Sequence, residues 1–142
     1  TLLKDAGKMG LPDEILRKPE KLTGSEVQLV RQHPVKGARI IQSFESLKPV
    51  VPIILHSHEK FDGSGYPEGL KGQEIPIGAR ILSVVNAFEA LIAGRPYRSK
   101  TTFHEALEEL NRNTGTQFDP EVMDAFRQAM KSLNIAGKIR DN

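Results

Sequence analysis

The fold depends on one stretch, His56-Ser57-His58-Glu59-Lys60-Phe61-Asp62-Gly63-Ser64-Gly65-Tyr66-Pro67-Glu68-Gly69-Leu70-Lys71-Gly72-Gln73-Glu74-Ile75-Pro76. It begins with two histidines and a glutamate at the end of an apolar run, and continues as a loop with four glycines and two prolines. A loop of this length inside a compact chain is usually functional or disordered, and the aromatic residues Phe61 and Tyr66 argue against disorder. On spacing alone, a metal site at the mouth of the loop and a surface loop with incidental histidines are equally compatible with the pattern.

The composition is typical of one globular domain. The chain has 142 residues, of which 38% are hydrophobic and 27% charged. The absence of cysteine excludes disulfide bonds, a thiolate zinc site and a cysteine nucleophile. The net charge of +2 is too small to argue for a nucleic-acid polymer, and no apolar run approaches the roughly 20 residues of a membrane span. No signal peptide is visible, so we expect a cytoplasmic location.

On either side of the loop the pattern predicts helices, so the fold class is all-α. Leu2 and Leu3 indicate a helix already under way that Gly7 terminates, and we therefore expect further N-terminal helices of the domain to precede the chain. Thr23 and Glu26 predict a capping box. The helix that follows should end near His33-Pro34, because the residue before a proline avoids the α region. Before the long loop, the other predicted helices are a short turn at 13–17, a helix at 35–47 ended by Pro49, and a helix at 50–58. After the loop, we predict a central buried helix at 77–93, a helix that begins at Thr101 or Thr102, and a last helix capped by Asp119. The segment 50–58 is also short enough to be a strand. The domain is predicted at 1–133, with a polar tail at 134–142.

Three places combine residue types that bind metals or phosphates: 4–8, His33 at a helix end, and His58-Glu59. In all-α proteins the ligands of a metal site project from several helices, so wide sequence separation is expected. Histidine and aspartate without cysteine suit iron, manganese or zinc. Each histidine alone is more commonly a half-buried side chain than a ligand. Glu59 either orients His58 or is a surface carboxylate.

Longer ordered motifs resemble the HD-GYP domain, a branch of the HD superfamily of metal-dependent phosphohydrolases. The matching pieces are Leu2-Leu3-Lys4-Asp5-Ala6-Gly7-Lys8-Met9-Gly10-Leu11-Pro12, Ile15-Leu16-Arg17-Lys18-Pro19, Leu22-Thr23, His33-Pro34-Val35-Lys36-Gly37, 58–67, Gly69-Leu70-Lys71-Gly72, Ile75-Pro76, Ala79-Arg80-Ile81, Arg95-Pro96-Tyr97-Arg98, Gly115 and Phe118-Asp119-Pro120. The resemblance runs from the first residue to about residue 130. It implies an all-α bundle with a long loop, the GYP loop, which here is the stretch His56 to Pro76 that contains Gly65-Tyr66-Pro67.

The resemblance also implies hydrolysis of the bacterial second messenger cyclic di-GMP at two or three metal ions, iron or manganese, whose bridging hydroxide attacks phosphorus. Asp5 corresponds to the family's metal-bridging aspartate. His33 and His58 correspond to two of its histidine ligands. Lys8 matches the lysine that assists the reacting phosphate, so Lys8 and Asp5 are the candidate catalytic residues.

The family's substrate and partner contacts fall on two further motifs. Arg95 and Arg98 match basic residues that hold a substrate phosphate, a role that suits the guanidinium fork. Gly65-Tyr66-Pro67 is intact, and in the family this loop is associated with contacts to diguanylate cyclase domains. A fused N-terminal sensor or receiver domain is a further expected partner.

Four positions depart from the family pattern. Lys4 and Ser57 stand where the family has histidine, and Asn86 and Glu89 where it has aspartate. A lysine ammonium has no lone pair for a metal, and asparagine removes a carboxylate charge. The ligand count therefore favours a weak residual site, formed by Asp5, His33 and His58, in a catalytically silent domain that acts as a regulatory, interaction or nucleotide-binding module. The alternative is an active phosphodiesterase with a reduced metal site. A purely structural helical domain is the third interpretation.

Overall fold

The computed structural model describes residues 2–93 and 101–135, with the side chains of Leu2, Lys4, Asn134 and Ile135 left out. This part of the chain is helical, as predicted, and its one β pairing is an isolated bridge between Thr114 and Phe118. The α-helices are α1 (Asp13–Leu16), α2 (Gly24–Val30), α3 (His33–Gln42), α4 (Val51–Leu55), α5 (Ile77–Ile92), α6 (Phe103–Arg112) and α7 (Pro120–Ile135). The 3₁₀ helices are Leu2–Gly10, Glu45–Val50 and Gly72–Glu74.

The helices pack in two groups that meet at α5. The N-terminal 3₁₀ helix lies on α3, and α3 lies on α4, which contacts α5. Helix α5 also packs against α6 and α7. The buried apolar cluster between these last three helices consists of Val84, Leu91, Ala106, Leu110, Phe118, Val122 and Met123. Removal of this apolar surface from water is the main force that holds the second group together.

Helix α5 is central, as predicted, but it is not buried on all sides. Ile77, Ile81 and Val85 are 55%, 47% and 37% exposed and lie at successive fourth positions. Residues four apart share one helix face, so these three form a solvent-facing apolar stripe. The helix predicted as central and buried is therefore exposed along this one face.

Several helix signals in the sequence are confirmed. Thr23 caps α2, because its Oγ1 accepts a hydrogen bond from the Glu26 N–H while the Glu26 carboxylate accepts one from the Thr23 N–H. Asp119 caps α7, since its Oδ1 accepts a hydrogen bond from the Glu121 N–H at 2.7 Å. Segment 51–55 is helical, which decides between helix and strand for that apolar run.

The N-terminal helix and α3 differ from the predicted boundaries. The first 3₁₀ helix continues through Gly7 to Gly10. A Cβ atom at Gly7 would lie 1.8 Å from the carbonyl oxygen of His33, so glycine at this position permits backbone contact with α3 and does not end a helix. Helix α3 already begins at His33 and ends at Gln42, because Pro34 occupies the first turn, where no N–H is needed. Pro49 lies inside the second 3₁₀ helix.

Some predictions fall outside the described residues. Arg95 and Arg98 belong to the segment 94–100, and most of the predicted tail belongs to 136–142. The domain boundary at residue 133 stays a prediction. Within the described ranges, none of the helices combines the length and apolar character that a membrane crossing requires.

Candidate functional site

Two histidines that are widely separated in the sequence meet at the centre of the candidate site. His33 opens α3 and His58 follows the end of α4, and their Nε2 atoms lie 3.1 Å apart. The rings meet edge to face, with centroids 4.8 Å apart. Nδ1 of His33 lies 2.7 Å from the carbonyl oxygen of Val30, which can only accept a hydrogen bond. The hydrogen therefore sits on Nδ1, and the Nε2 lone pair of His33 faces His58.

The surroundings of His33 favour its neutral form. The side chain is among the most buried in the described chain, and this burial lowers its pKa from the usual value. The Val30 carbonyl and the Asp5 charge act in the opposite direction, while the Lys8 charge adds to the lowering. A neutral imidazole whose Nε2 carries no proton is the form that binds metal ions.

Asp5 and Lys8 lie on the N-terminal 3₁₀ helix beside His33. Their side chains form an ion pair with a distance of 2.7 Å between Nζ and Oδ1, and both are close to half exposed. The contact between this helix and α3 at Gly7 fixes the pair relative to His33. The structure thus brings three sequence-predicted residues, Asp5, Lys8 and His33, to one side of the site.

The spacing of the two histidine nitrogens matches a site for one metal ion. Two nitrogens that each lie about 2.1 Å from one ion are separated by roughly 3.0–3.4 Å, and the two Nε2 atoms lie 3.1 Å apart. The histidine pair therefore fits two neighbouring positions around a single ion. Within 2–93 and 101–135, no group of three or more His, Asp or Glu side chains could hold a metal together. The described residues fit one ion bound by two imidazoles and do not fit a pair of ions.

The substituted ligand positions Ser57 and Asn86 line the same open cleft as His58. Ser57 is buried, and its hydroxyl donates a hydrogen bond to the carbonyl oxygen of Ile54 at 2.8 Å. Asn86 lines an open cleft of ≈ 280 Å³ with His58 and Tyr66. Glu89 is exposed on α5. The cleft therefore presents an amide where the resemblance implies a carboxylate.

Tyr66 lies inside the site as well as on the predicted interaction loop. Its ring stacks on His58 with centroids 5.1 Å apart and an interplanar angle of 5°. The guanidinium carbon of Arg31 lies 5.2 Å from the Tyr66 ring centroid, a cation–π distance. Burial raises the pKa of Tyr66, and the Arg31 charge lowers it by less. Sequence reasoning missed Arg31, because an arginine at the end of a short helix carries no local signal of such a contact.

Glu59 is a buried carboxylate and not a surface residue. It is 3% exposed, and its Oε1 accepts hydrogen bonds from the N–H groups of Glu68 and Gly69 at 2.8 and 3.1 Å. The residues 59–69 thus close on themselves at the base of the GYP loop. The donors lie nine and ten positions after Glu59, and this contact was not predicted from the sequence.

The loop is also tied to the second helix group. The N–H groups of Phe61 and Asp62 donate to the carbonyl oxygens of Gln117 and Thr116 at 3.2 and 2.8 Å. Asp62 accepts a hydrogen bond from the Ser64 N–H at 2.8 Å, a common role of aspartate in turns. The peptide bond between Tyr66 and Pro67 is cis. The hydrogen bonds of Phe61 and Asp62 give the long loop a defined conformation, with Tyr66 stacked on His58.

The chain matches one protein-family model and several curated bacterial proteins. The family model described as "HD domain" matches residues 1–122. A "Cyclic di-GMP phosphodiesterase" of Thermotoga maritima is 41% identical over 133 residues, which cover 92% of this chain and 36% of that protein. A "3'3'-cGAMP-specific phosphodiesterase 3" of Vibrio cholerae is 37% identical over 132 residues, covering 93% of this chain and 29% of that protein.

A solved structure shows the same fold. It is a cyclic GMP-AMP specific phosphodiesterase of V. cholerae, which superimposes with a TM-score of 0.69 at 22% identity over 92% of this chain and 36% of that one. The chain spans about a third of the length of the relatives that it matches.

Proposed function

Because this chain belongs to the HD domain family, in its HD-GYP branch, we propose that it is the hydrolytic unit of a phosphodiesterase for cyclic di-GMP or a related cyclic dinucleotide. The names of its relatives favour this interpretation over the catalytically silent domain that the ligand count predicts. The observation that carries the proposal is the pair of imidazole Nε2 atoms of His33 and His58, 3.1 Å apart beside Asp5 and Lys8.

In this proposal His33 and His58 hold one divalent ion, iron or manganese, and Asp5 becomes a further ligand only if the N-terminal 3₁₀ helix moves closer to the histidine pair. Such an ion supplies Lewis acidity and a nucleophilic hydroxide when it is bound. The Val30 carbonyl keeps His33 in the tautomer that presents Nε2. The stacked ring of Tyr66 restrains His58 from the other side.

The chain's own polar groups then bind the substrate phosphates. The ammonium of Lys8 lies next to Asp5 and is placed to contact a phosphate oxygen of a substrate at the site. Asn86 faces the cleft with an amide that donates hydrogen bonds to an oxyanion, which the family's carboxylate at this position does not do. Arg95 and Arg98 are proposed as further phosphate ligands from the segment 94–100.

A second candidate function is a silent cyclic-dinucleotide-binding module that contacts diguanylate cyclase domains through Gly65-Tyr66-Pro67. One observation favours it: the Ser57 hydroxyl points back to Ile54, so this position offers no ligand to the histidine pair. Lys4 and Asn86 replace two more ligands that the resemblance implies, a histidine and an aspartate. In either case the functional domain is proposed at 1–133, in a larger protein with a sensor or receiver domain.

The test combines metal content and turnover. The full protein is loaded with Mn²⁺ or Fe²⁺, bound metal per chain is measured, and hydrolysis of cyclic di-GMP and of 3'3'-cGAMP is followed. We expect a single ion per chain, and loss of both metal and turnover in His33→Gln and His58→Gln. His104→Gln is the matched control, because the His104 side chain is 82% exposed on α6. Saturable dinucleotide binding without metal or turnover would establish the silent module instead.

A restoring variant examines the substituted positions. Lys4→His, Ser57→His and Asn86→Asp together return the family's ligands. If their substitution is what limits the site, the triple variant binds a second ion and hydrolyses faster. A folded triple variant with unchanged metal content would show that the lost ligands do not explain the reduced site.

A further inference from the structure

We propose that Glu59 is a positioning residue that clamps the GYP loop and thereby holds Tyr66 against His58. The clamp itself follows from contacts within the chain, and its consequence for His58 chemistry rests on the proposed function. No side-chain atom of Glu59 is exposed, so the residue cannot serve as a surface carboxylate.

The first step of the inference is the burial of the carboxylate. A buried carboxylate is costly unless hydrogen bonds satisfy it. Oε1 of Glu59 accepts two N–H groups from the far end of the loop, those of Glu68 and Gly69, and bonds to a charged acceptor are stronger than neutral ones. Opening the loop removes both donors at once, and closure of the loop and burial of Glu59 therefore depend on each other.

The second step is the path from the clamp to His58. Glu59 follows His58 directly, and the N–H of Tyr66 donates to the His58 carbonyl oxygen at 3.2 Å. A Cβ atom at Gly65 would lie 2.3 Å from the backbone nitrogen of Lys60, so the loop backbone rests directly on the segment after His58. With the clamp at Glu68 and Gly69, these contacts hold the Tyr66 ring parallel to His58.

The third step separates the contribution of the hydrogen-bond geometry at Glu59 from that of its negative charge. Oε2 of Glu59 and Nδ1 of His56 are buried and have no hydrogen-bond partner in the described part of the chain. Glutamine keeps an acceptor oxygen at the reach of Oε1 and places its amide where Oε2 stands. Leucine keeps the approximate volume but accepts nothing, and aspartate keeps the charge but is one methylene shorter. The clamp therefore predicts that Glu59→Gln retains the closed loop and that Glu59→Leu and Glu59→Asp lose it.

The experiment uses Tyr66 as its own probe. The 142 residues contain two tyrosines and no tryptophan, so in a protein of these residues alone Tyr97→Phe leaves Tyr66 as the only fluorophore excited at tyrosine wavelengths. In this background, acrylamide quenching reports the exposure of Tyr66. Amide hydrogen exchange at Glu68 and Gly69 reports the clamp directly. We expect exchange at both amides to rise about tenfold in Glu59→Leu and Glu59→Asp, with stronger quenching of Tyr66, and both readouts to stay near the parent in Glu59→Gln.

Unchanged exchange and quenching in a folded Glu59→Leu variant would overturn the inference. If Glu59→Leu does not fold, the test compares Glu59→Asp with Glu59→Gln. Equal protection of the Glu68 and Gly69 amides from exchange in these two variants would also overturn the inference. Neither readout requires turnover. A protein that shows the clamp but hydrolyses nothing refutes the proposed function alone, whereas an active protein without the clamp refutes only this inference.

Discussion

Replacing Gly7 by alanine is expected to force the N-terminal 3₁₀ helix away from α3. The added Cβ would lie 1.8 Å from the His33 carbonyl oxygen and 2.6 Å from the Gly37 nitrogen, both of them backbone atoms that cannot rotate aside. Ordinary contact begins at 3.4 Å, so the two backbones must separate by about 1.6 Å. Overpacking of this severity costs about 3 kcal/mol, which lowers the melting temperature of a chain of this size by about 10 °C.

The matched control is Gly10→Ala. Gly10 lies in the same 3₁₀ helix, and a Cβ atom there meets nothing within 4 Å. We expect its melting temperature to stay within about 2 °C of the parent. Calorimetry of the two variants is the assay, and turnover is the second readout because Asp5 and Lys8 move with the helix. Equal melting temperatures in Gly7→Ala and Gly10→Ala would refute the close backbone contact and the placement of Asp5 that depends on it.

Two further predictions concern ion pairs. Arg80 and Asp119 form a buried salt bridge, with 13% and 2% of their side chains exposed. Arg80→Met should therefore lower the free energy of unfolding by about 3 kcal/mol. Arg17→Met is the control and should change it by under about 0.5 kcal/mol, because the Asp13 partner of Arg17 lies 3.8 Å away in solvent. Equal denaturant midpoints in the two would contradict this. The hydrogen bond from Lys18, then that from the Thr23 N–H, lowers the pKa of Glu26 below 4.5. This contribution to stability is complete above pH 4.5 and is lost as the pH falls through the folded-state pKa, so Glu26→Gln should flatten the acid limb of melting temperature against pH. Parallel curves for the two proteins would count against it.

Local signals in the sequence predicted local structure well. The caps at Thr23 and Asp119 were found because a capping residue and its target N–H groups lie within three positions of each other. The boundaries of α3 were missed because proline both ends and begins helices, and the sequence around His33-Pro34 fits either role. The role of Gly7 was misjudged for a related reason, since a glycine at a helix end and a glycine at a backbone contact look alike in sequence.

Residue types alone marked 4–8, His33 and His58-Glu59 as candidate sites, and the family resemblance joined them into one site. It identified His33 and His58, which the structure places together, and Asp5 and Lys8, which lie beside them. It did not identify the clamp formed by Glu59 or the Arg80–Asp119 pair, whose members are 39 positions apart. Such contacts depend on how distant helices approach each other, and no spacing rule within a helix or turn encodes them.

The two backbone hydrogen bonds from Phe61 and Asp62 to the turn before α7 have a consequence for cooperativity. Segments joined in this way open together, because one cannot leave without exposing the unpaired groups of the other. We therefore expect hydrogen exchange to show the GYP loop and the core around α6 and α7 opening as one unfolding unit. A core substitution at Leu110 or Met123, residues that contribute to that core, should loosen the loop over the histidine pair without touching it.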